Sequence, residues 1–208
     1  MALTNYTNLR STIAETLNRD DLTSSIPTFI SLCEAAVNRD VRHWRMETRT
    51  SGQQSAGDAY MQVPADWVET LRFNVVGNGT SPIKMIDSTS MADMRAIAND
   101  QYNTPKYYTL EAGQFHLYPT PIADVDVELL YYAQVPDLAS NATNWLLSAA
   151  PDVYLYGSLI HSAPYLQDDA RLAVWAQLYS AAVSRLNESS KNAKYSGVSL
   201  VPKVRGLA

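Results

Sequence analysis

Cysteine is nearly missing from this chain. Cys33 is the only one in 208 residues, so no disulfide forms within it, which suits synthesis in a reducing compartment. Histidine is scarce as well. His43, His116 and His161 lie far apart in sequence and match no zinc spacing. There is no EF-hand loop and no glycine-rich loop to cradle a phosphate, so neither a metal nor a nucleotide cofactor is expected. No run of about 18 apolar residues exists, which leaves no membrane-spanning stretch. The opening residues, MALTNYTNLR, lack a basic segment followed by an apolar one, and no secretory signal is expected there. Charge is thin too, at 18% of residues against roughly 25% in an average globular protein. That fits a surface partly covered by something else.

What charge there is falls unevenly. Residues 191–208 hold Lys191, Lys194, Lys203 and Arg205 and no acid, whereas the remainder holds 12 basic and 21 acidic residues. An acidic body argues against sequence-specific DNA binding, which normally needs a basic folded face. A basic tail suits an acidic partner.

The length allows one domain, or one with a sub-domain inserted. Tyr6, Leu9, Ile13 and Leu17 recur at helical spacing, and Asn18-Arg19-Asp20-Asp21 closes that helix with turn chemistry. Ser25 before Ile26-Pro27 is a start signal for a second helix, which buries Ile26, Phe29, Ile30, Cys33 and Val37. Near Trp44 the pattern changes. METRTSGQQSAGDAYMQVP suits strands and turns. ETLRFNVV, Gly77-Asn78-Gly79 and SPIKMI form a hairpin. A helix over Ser88 to Ala98 sets Met91, Met94 and Ile97 on one side. Two strands meet at Ala112-Gly113, and VDVELLYYAQVP alternates as a further strand. Helix then returns. Ser148 is the expected cap, Pro151 and Asp152 occupy the first turn, and Val153, Tyr156, Leu159 and Ile160 form the buried face. Pro164 ends that helix, and Asp168 caps the next, which carries Leu172, Trp175, Leu178 or Tyr179, Ala182 and Leu186 to about Glu188. The expected fold is therefore α+β. Residues 1–44 and 145–190 form a helical bundle, residues 45–144 are an inserted, mostly antiparallel β module, and residues 191–208 are an extended tail.

Chemistry has two candidate centres. His161 with Asp168 and Asp169 offers a base and an orienting carboxylate, with Ser158 or Ser162 as the nucleophile. Neither serine sits in a strained Gly-x-Ser-x-Gly elbow, so a structural histidine is the simpler reading. Arg39, Arg42, Arg45 and Arg49 recur at three- and four-residue steps. If a helix ran through them, they would form a basic stripe at a subunit interface or close to DNA, although Asp40 and Glu47 dilute it. The alternative is a solvated helix end. The thirteen tyrosines, among them Tyr107-Tyr108, Tyr131-Tyr132 and Tyr154 and Tyr156, serve packing or interfaces.

The longest distinctive stretch is TNWLLSAAPDVYLYGSLIHSAPYLQDDARLAVWAQLYSAAVSRLN. It joins Asn-Trp-Leu-Leu, Ala-Pro-Asp, Tyr-x-Tyr-Gly, Ala-Pro-Tyr-Leu and Asp-Asp ahead of a tryptophan-containing helix. LNRDDLTSSIPTFISLCEAAVNRDVR, VPADWVETLRF, TPKYYTLEAGQFHLYPTP and VELLYYA accompany it. In this order the segments resemble the head–tail adaptor (connector) proteins of tailed bacteriophages. The resemblance implies a non-enzymatic homo-oligomeric ring, usually of twelve subunits, seated on the portal protein at the virion neck after synthesis in the host bacterial cytoplasm. Such a ring extends the channel through which double-stranded DNA passes and gives tail or nozzle proteins a platform. It also implies a C-terminal tail that reaches the portal, which makes Lys191, Lys194, Tyr195, Leu200, Val201, Lys203, Val204 and Arg205 the portal-contact candidates. The competing readings are a tail or neck protein not bound to portal, and a hydrolytic or cell-wall-glycan-binding tail subunit.

Overall fold

The computed structural model describes residues 3–77, 79–98, 102–166 and 170–196. The chain divides into two compact units, Met1–Arg45 with Val135–Ala208, and Met46–Gln134.

The first unit is helical. Helix α1 spans Tyr6–Leu17. It begins where the Asn5 side chain accepts the Asn8 N–H at 2.8 Å, and it ends where Asn18 turns left-handed at φ 52°, ψ 42°. Helix α2, Ile26–Asp40, carries Pro27 in its first turn, where the missing N–H removes no helical bond. Ser25 holds the cap position, but its side chain makes no capping hydrogen bond.

Two further helices of this unit, Pro151–His161 and Arg171–Tyr195, pack against each other, and the former also packs against α1 and α2. A helix enclosed on three sides has no single buried face. Tyr154 is wholly buried, while Tyr156 and Ile160, expected in the core, are half-buried.

The second unit holds two four-stranded sheets. Its strands are β1 Glu47–Gln54, β2 Tyr60–Gln62, β3 Trp67–Val76, β4 Thr80–Pro82, β5 Lys84–Met85, β6 Tyr107–Glu111, β7 Gln114–Tyr118 and β8 Val125–Ala133. One sheet has the order β1-β8-β3-β4 and the other β2-β7-β6-β5; every pairing between them is antiparallel except β5 with β6. Alternation along β8 points Val127, Leu129, Tyr131 and Ala133 into a core shared with Phe73, Val75, Tyr108, Phe115 and Leu117. The β6–β7 turn needs two left-handed residues in succession, and Ala112 (φ 49°) and Gly113 (φ 77°) provide them. Helix α3 spans Ser88–Ala98 as the pattern predicts, but only Met91 of its expected apolar side is buried, and Ile97 is 86% exposed.

Residues 135–144, read from sequence as part of the β module, belong with the helices. Two polar residues one turn apart on α2 explain this. Asn38 Oδ1 accepts the Val135 N–H at 2.9 Å, and Glu34 Oε1 accepts the Leu138 N–H at 2.8 Å. The segment has neither helix nor sheet to satisfy its amides, so side chains do so instead.

Helix resumes earlier than expected. Helix α4, Trp145–Ala149, capped by Asn144, precedes α5, Pro151–His161, whose cap position is held by Ala150 without a side-chain bond rather than by Ser148. Helix α6, Arg171–Tyr195, runs past Glu188, so Lys191, Lys194 and Tyr195 are helical rather than part of an extended tail. Asp168, the expected cap of α6, lies outside the described residues.

Candidate assembly surface

The arginine stripe does not form. Helix α2 stops at Asp40, so only Arg39 of the four lies on it, and Arg45 falls in a separate 3-10 turn, Trp44–Met46. Arg42 folds back on its own helix end, its Nη1 donating to the carbonyls of Asn38 (3.0 Å) and Val41 (2.7 Å). A cation suits that position, because carbonyls at a helix C-terminus lack helical partners. Arg45 lies over the Trp44 ring with its guanidinium carbon 5.3 Å from the centroid. Arg49 sits on β1 in the other unit and forms an ion pair with Glu128 of β8. Arg72 of β3 approaches the same carboxylate at 3.5 Å. Three- and four-residue steps made a stripe only on the condition of a continuous helix. The break after Asp40 removes that condition.

What holds the chain leaving α2 is the far end of α6. Arg42 N–H donates to Asn187 Oδ1 at 2.9 Å, Asn187 Nδ2 donates to the Asp40 carbonyl at 3.1 Å, and Trp44 N–H donates to Ser190 Oγ at 2.8 Å. Ser190 is buried. These bonds explain why the helix continues although its hydrophobic periodicity fades. Lys191, Lys194 and Tyr195 follow on its last turn with exposed side chains. Leu200, Val201, Lys203, Val204 and Arg205 lie outside the described residues.

His161 closes α5. Burial and the neighbouring Arg39 hold its pKa below the ordinary value, because both disfavour the imidazolium. Ser162 donates its hydroxyl to the Leu159 carbonyl at 2.6 Å, and Ser158 is sealed in the bundle with no accessible surface. Neither serine presents an accessible nucleophile. Asp168 and Asp169 lie outside the described residues. Among the described residues no group of three His, Cys, Asp or Glu side chains is placed to hold a metal ion, and no helix is long and apolar enough to cross a membrane.

A polar cluster around one buried histidine went unseen in the sequence. His116 of β7 is buried, with Arg95 Nη1 2.6 Å from its Nε2 and Glu111 Oε2 3.0 Å from its Nδ1. A guanidinium only donates, so Nε2 accepts from Arg95 and the Nδ1–H donates to the Glu111 carboxylate. The Tyr60 ring stacks on the imidazole at 4.5 Å. A cavity of about 320 Å3 lies alongside, yet both ring nitrogens are already occupied. The arrangement ties α3 to the sheet through β7.

The distinctive motif residues also have packing tasks. Asn144 Oδ1 accepts the Leu147 N–H at 2.9 Å, while its Nδ2 donates to the Pro136 carbonyl and to Tyr154 Oη, each at 2.7 Å. Trp145 stacks on His43 at 5.1 Å with the planes 22° apart. Gly157 is where α5 meets both α2 and α6, since a Cβ there would meet the Cys33 and Tyr179 side chains. Together these residues define a structural module, in which the motifs set how helices approach and how connecting segments are held. A model of the SU10 adaptor protein family matches residues 4–202, and the chain belongs to that family. It is a phage adaptor protein, in agreement with the resemblance to head–tail adaptors. Comparison with individually curated proteins gives no match.

Proposed function

We propose that this chain is the ring subunit that joins portal to tail, with about twelve copies extending the DNA channel at the virion neck and presenting a platform to tail or nozzle proteins. The observation that carries the reading is the family match over residues 4–202. The charge distribution supports it. An acidic body repels DNA phosphates and avoids the counterion-release attraction of basic surfaces, so double-stranded DNA passes without sequence-specific binding. Lys191, Lys194, Lys203 and Arg205, with no acid among residues 191–208, suit acidic groups on the portal, with Tyr195, Leu200, Val201 and Val204 filling apolar grooves. A non-enzymatic role fits the adaptor family.

The test is electron microscopy of the chain mixed with its portal, beside the same mixture made with a chain ending at Ser196. A ring on the portal for the full chain and its loss for the shortened one are expected. Capture by tail components with no binding to portal overturns the reading in favour of a tail or neck protein.

A further inference from the structure

Helix α3 is held to its sheet by a short set of side chains. Met91 is buried, Tyr118 Oη donates to the Met94 carbonyl at 3.4 Å, and Arg95 Nη1 reaches His116 of β7 at 2.6 Å. The bonds of Ser90 to Asp87 stay at the helix's own start, and Ile97 faces outward. A helix of 11 residues is marginal by itself in water. Its attachments to the sheet therefore decide how firmly it stays folded.

The attachment at Arg95 exists in only one protonation state of His116. The guanidinium has no acceptor, so the bond needs the lone pair of Nε2. A neutral imidazole then stands between one cation and one carboxylate, and the three groups together carry no net charge. A proton added at Nε2 removes the acceptor and turns an N–H toward a group that only donates. Glu111 of β6 keeps its bond to Nδ1–H and favours the imidazolium. The ring is fixed in place, since its side chain is 5% exposed and Tyr60 of β2 stacks on it at 4.5 Å. Arg95 is therefore the partner that must leave. Arg95, Glu111 and Tyr60 are the titratable groups around this site, and the rest of the adjoining cavity wall, Ser88, Met91 and Ala92, carries no charge.

We propose that His116 is an acid-sensitive latch on α3: the neutral imidazole holds Arg95, and with it the helix, against the sheet, and the protonated imidazole releases them. Release loosens α3 and bares Met91 beside the cavity of about 320 Å3. The hold is complete while the ring is neutral and is lost as falling pH adds the proton. The latch lies within one unit of one chain, so it stands independently of portal binding.

Hydrogen exchange of the full chain, read by mass spectrometry at about pH 8 and about pH 5.5, brackets the range in which imidazoles change charge. Rates are corrected for the intrinsic pH dependence of exchange. Protection of the amides in Ser88–Ala98 is expected to be roughly tenfold lower at the acidic pH, as one hydrogen bond of a charged group is lost, while β3 and β8 keep theirs. His116→Gln removes the titration. Arg95→Gln replaces a pure donor with an amide that pairs with either state of the ring. In both variants α3 protection is expected to be the same at the two pH values. Arg95→Gln should also exceed the wild type at the acidic pH, a gain that no misfolded variant gives. Equal protection of α3 in the wild type at both pH values overturns the proposal. So does an acid loss that persists in Arg95→Gln, or one that begins only below about pH 5, where carboxylates take up protons; either result assigns the sensitivity to a group other than His116.

Discussion

Gly157 faces Cys33 so closely that a Cβ built on the glycine would lie 2.4 Å from Sγ. The same Cβ would come within 3.1 Å of the Tyr179 ring. Cys33 belongs to α2 and Tyr179 to α6, so one missing methyl group lets the central helix approach two neighbours at once. Gly157→Ala should therefore destabilise the helical unit by about 1–3 kcal/mol, the usual cost of overpacking, although alanine is the better helix former. Cys33→Ala in the same chain removes the nearer obstacle and should recover part of the loss. Thermal unfolding of the two single variants and the double variant measures the coupling.

Asn144 does three things that no single replacement can reproduce. It caps α4, satisfies the Pro136 carbonyl, and supports the wholly buried Tyr154. Asn144→Ala loses the cap and leaves buried polar groups without partners. Together these should cost about 2–4 kcal/mol. The m-value in urea is expected to stay unchanged while the midpoint falls.

Asn144 also marks the limit of what the residues alone disclosed. The proline signals were legible because they act locally: Pro27 and Pro151 open helices and Pro164 follows the end of one, as expected. The antiparallel character of the β module and the turn at Ala112-Gly113 were legible for the same reason. Ser148 looked like the cap because it precedes Pro151, yet the helix opening at Pro151 has Ala150 at its cap position with no side-chain bond, and the capping side chain is Asn144, one short helix earlier, fixed by its bonds to Pro136 and Tyr154. The end of α6 was missed because Ser190 and Asn187 are held there by bonds to the segment at residues 40–44, not by apolar periodicity. The triad of Arg95, Glu111 and His116 left no trace either, since no spacing rule joins a helix residue to two residues in neighbouring strands.

The true length of α6 has a consequence for truncation. A chain ending at Glu188 lacks Ser190, the acceptor for the part-buried Trp44 N–H, and should lose about 1–2 kcal/mol through that lost bond and the lost turn. A chain ending at Ser196 keeps every one of these bonds and should match the full chain within about 0.5 kcal/mol. Calorimetry on the two truncations distinguishes a structural role for residues 189–196 from a purely peripheral one.

Glu34 gives the helical unit a pH dependence of known sign. Burial chiefly, with the charge of Asp137 behind it, raises its pKa above the ordinary value, while the bonds from Leu138 N–H and Tyr154 work in the opposite direction. A carboxyl with a raised folded-state pKa keeps its proton in the native chain at pH values where the unfolded chain has already released it. Its contribution to stability therefore falls as pH rises from the unfolded value through the folded one, and is level above that. Glu34→Gln keeps an acceptor for Leu138 N–H and removes the titration. Urea unfolding between about pH 4 and pH 7 should show the variant gaining on the wild type as pH increases; two parallel profiles would exclude Glu34 as the source.

Glu128 and its two arginines test how asymmetric a shared ion pair is. The carboxylate side chain is 12% exposed, whereas Arg49 and Arg72 are 70% and 57% exposed. Glu128→Gln leaves behind two guanidiniums that water already solvates, so its cost should be no more than about 1 kcal/mol, as for a surface pair. Replacing both arginines with methionine leaves instead a largely buried carboxylate with no counter-charge, and should cost about 2 kcal/mol or more. Salt screens the exposed partners far better than the buried one. The first variant should therefore lose its small deficit in molar salt while the second keeps most of its own. Denaturant midpoints at low and high ionic strength separate the two, and equal costs for both variants would mean that Glu128 is as well hydrated as the arginines around it.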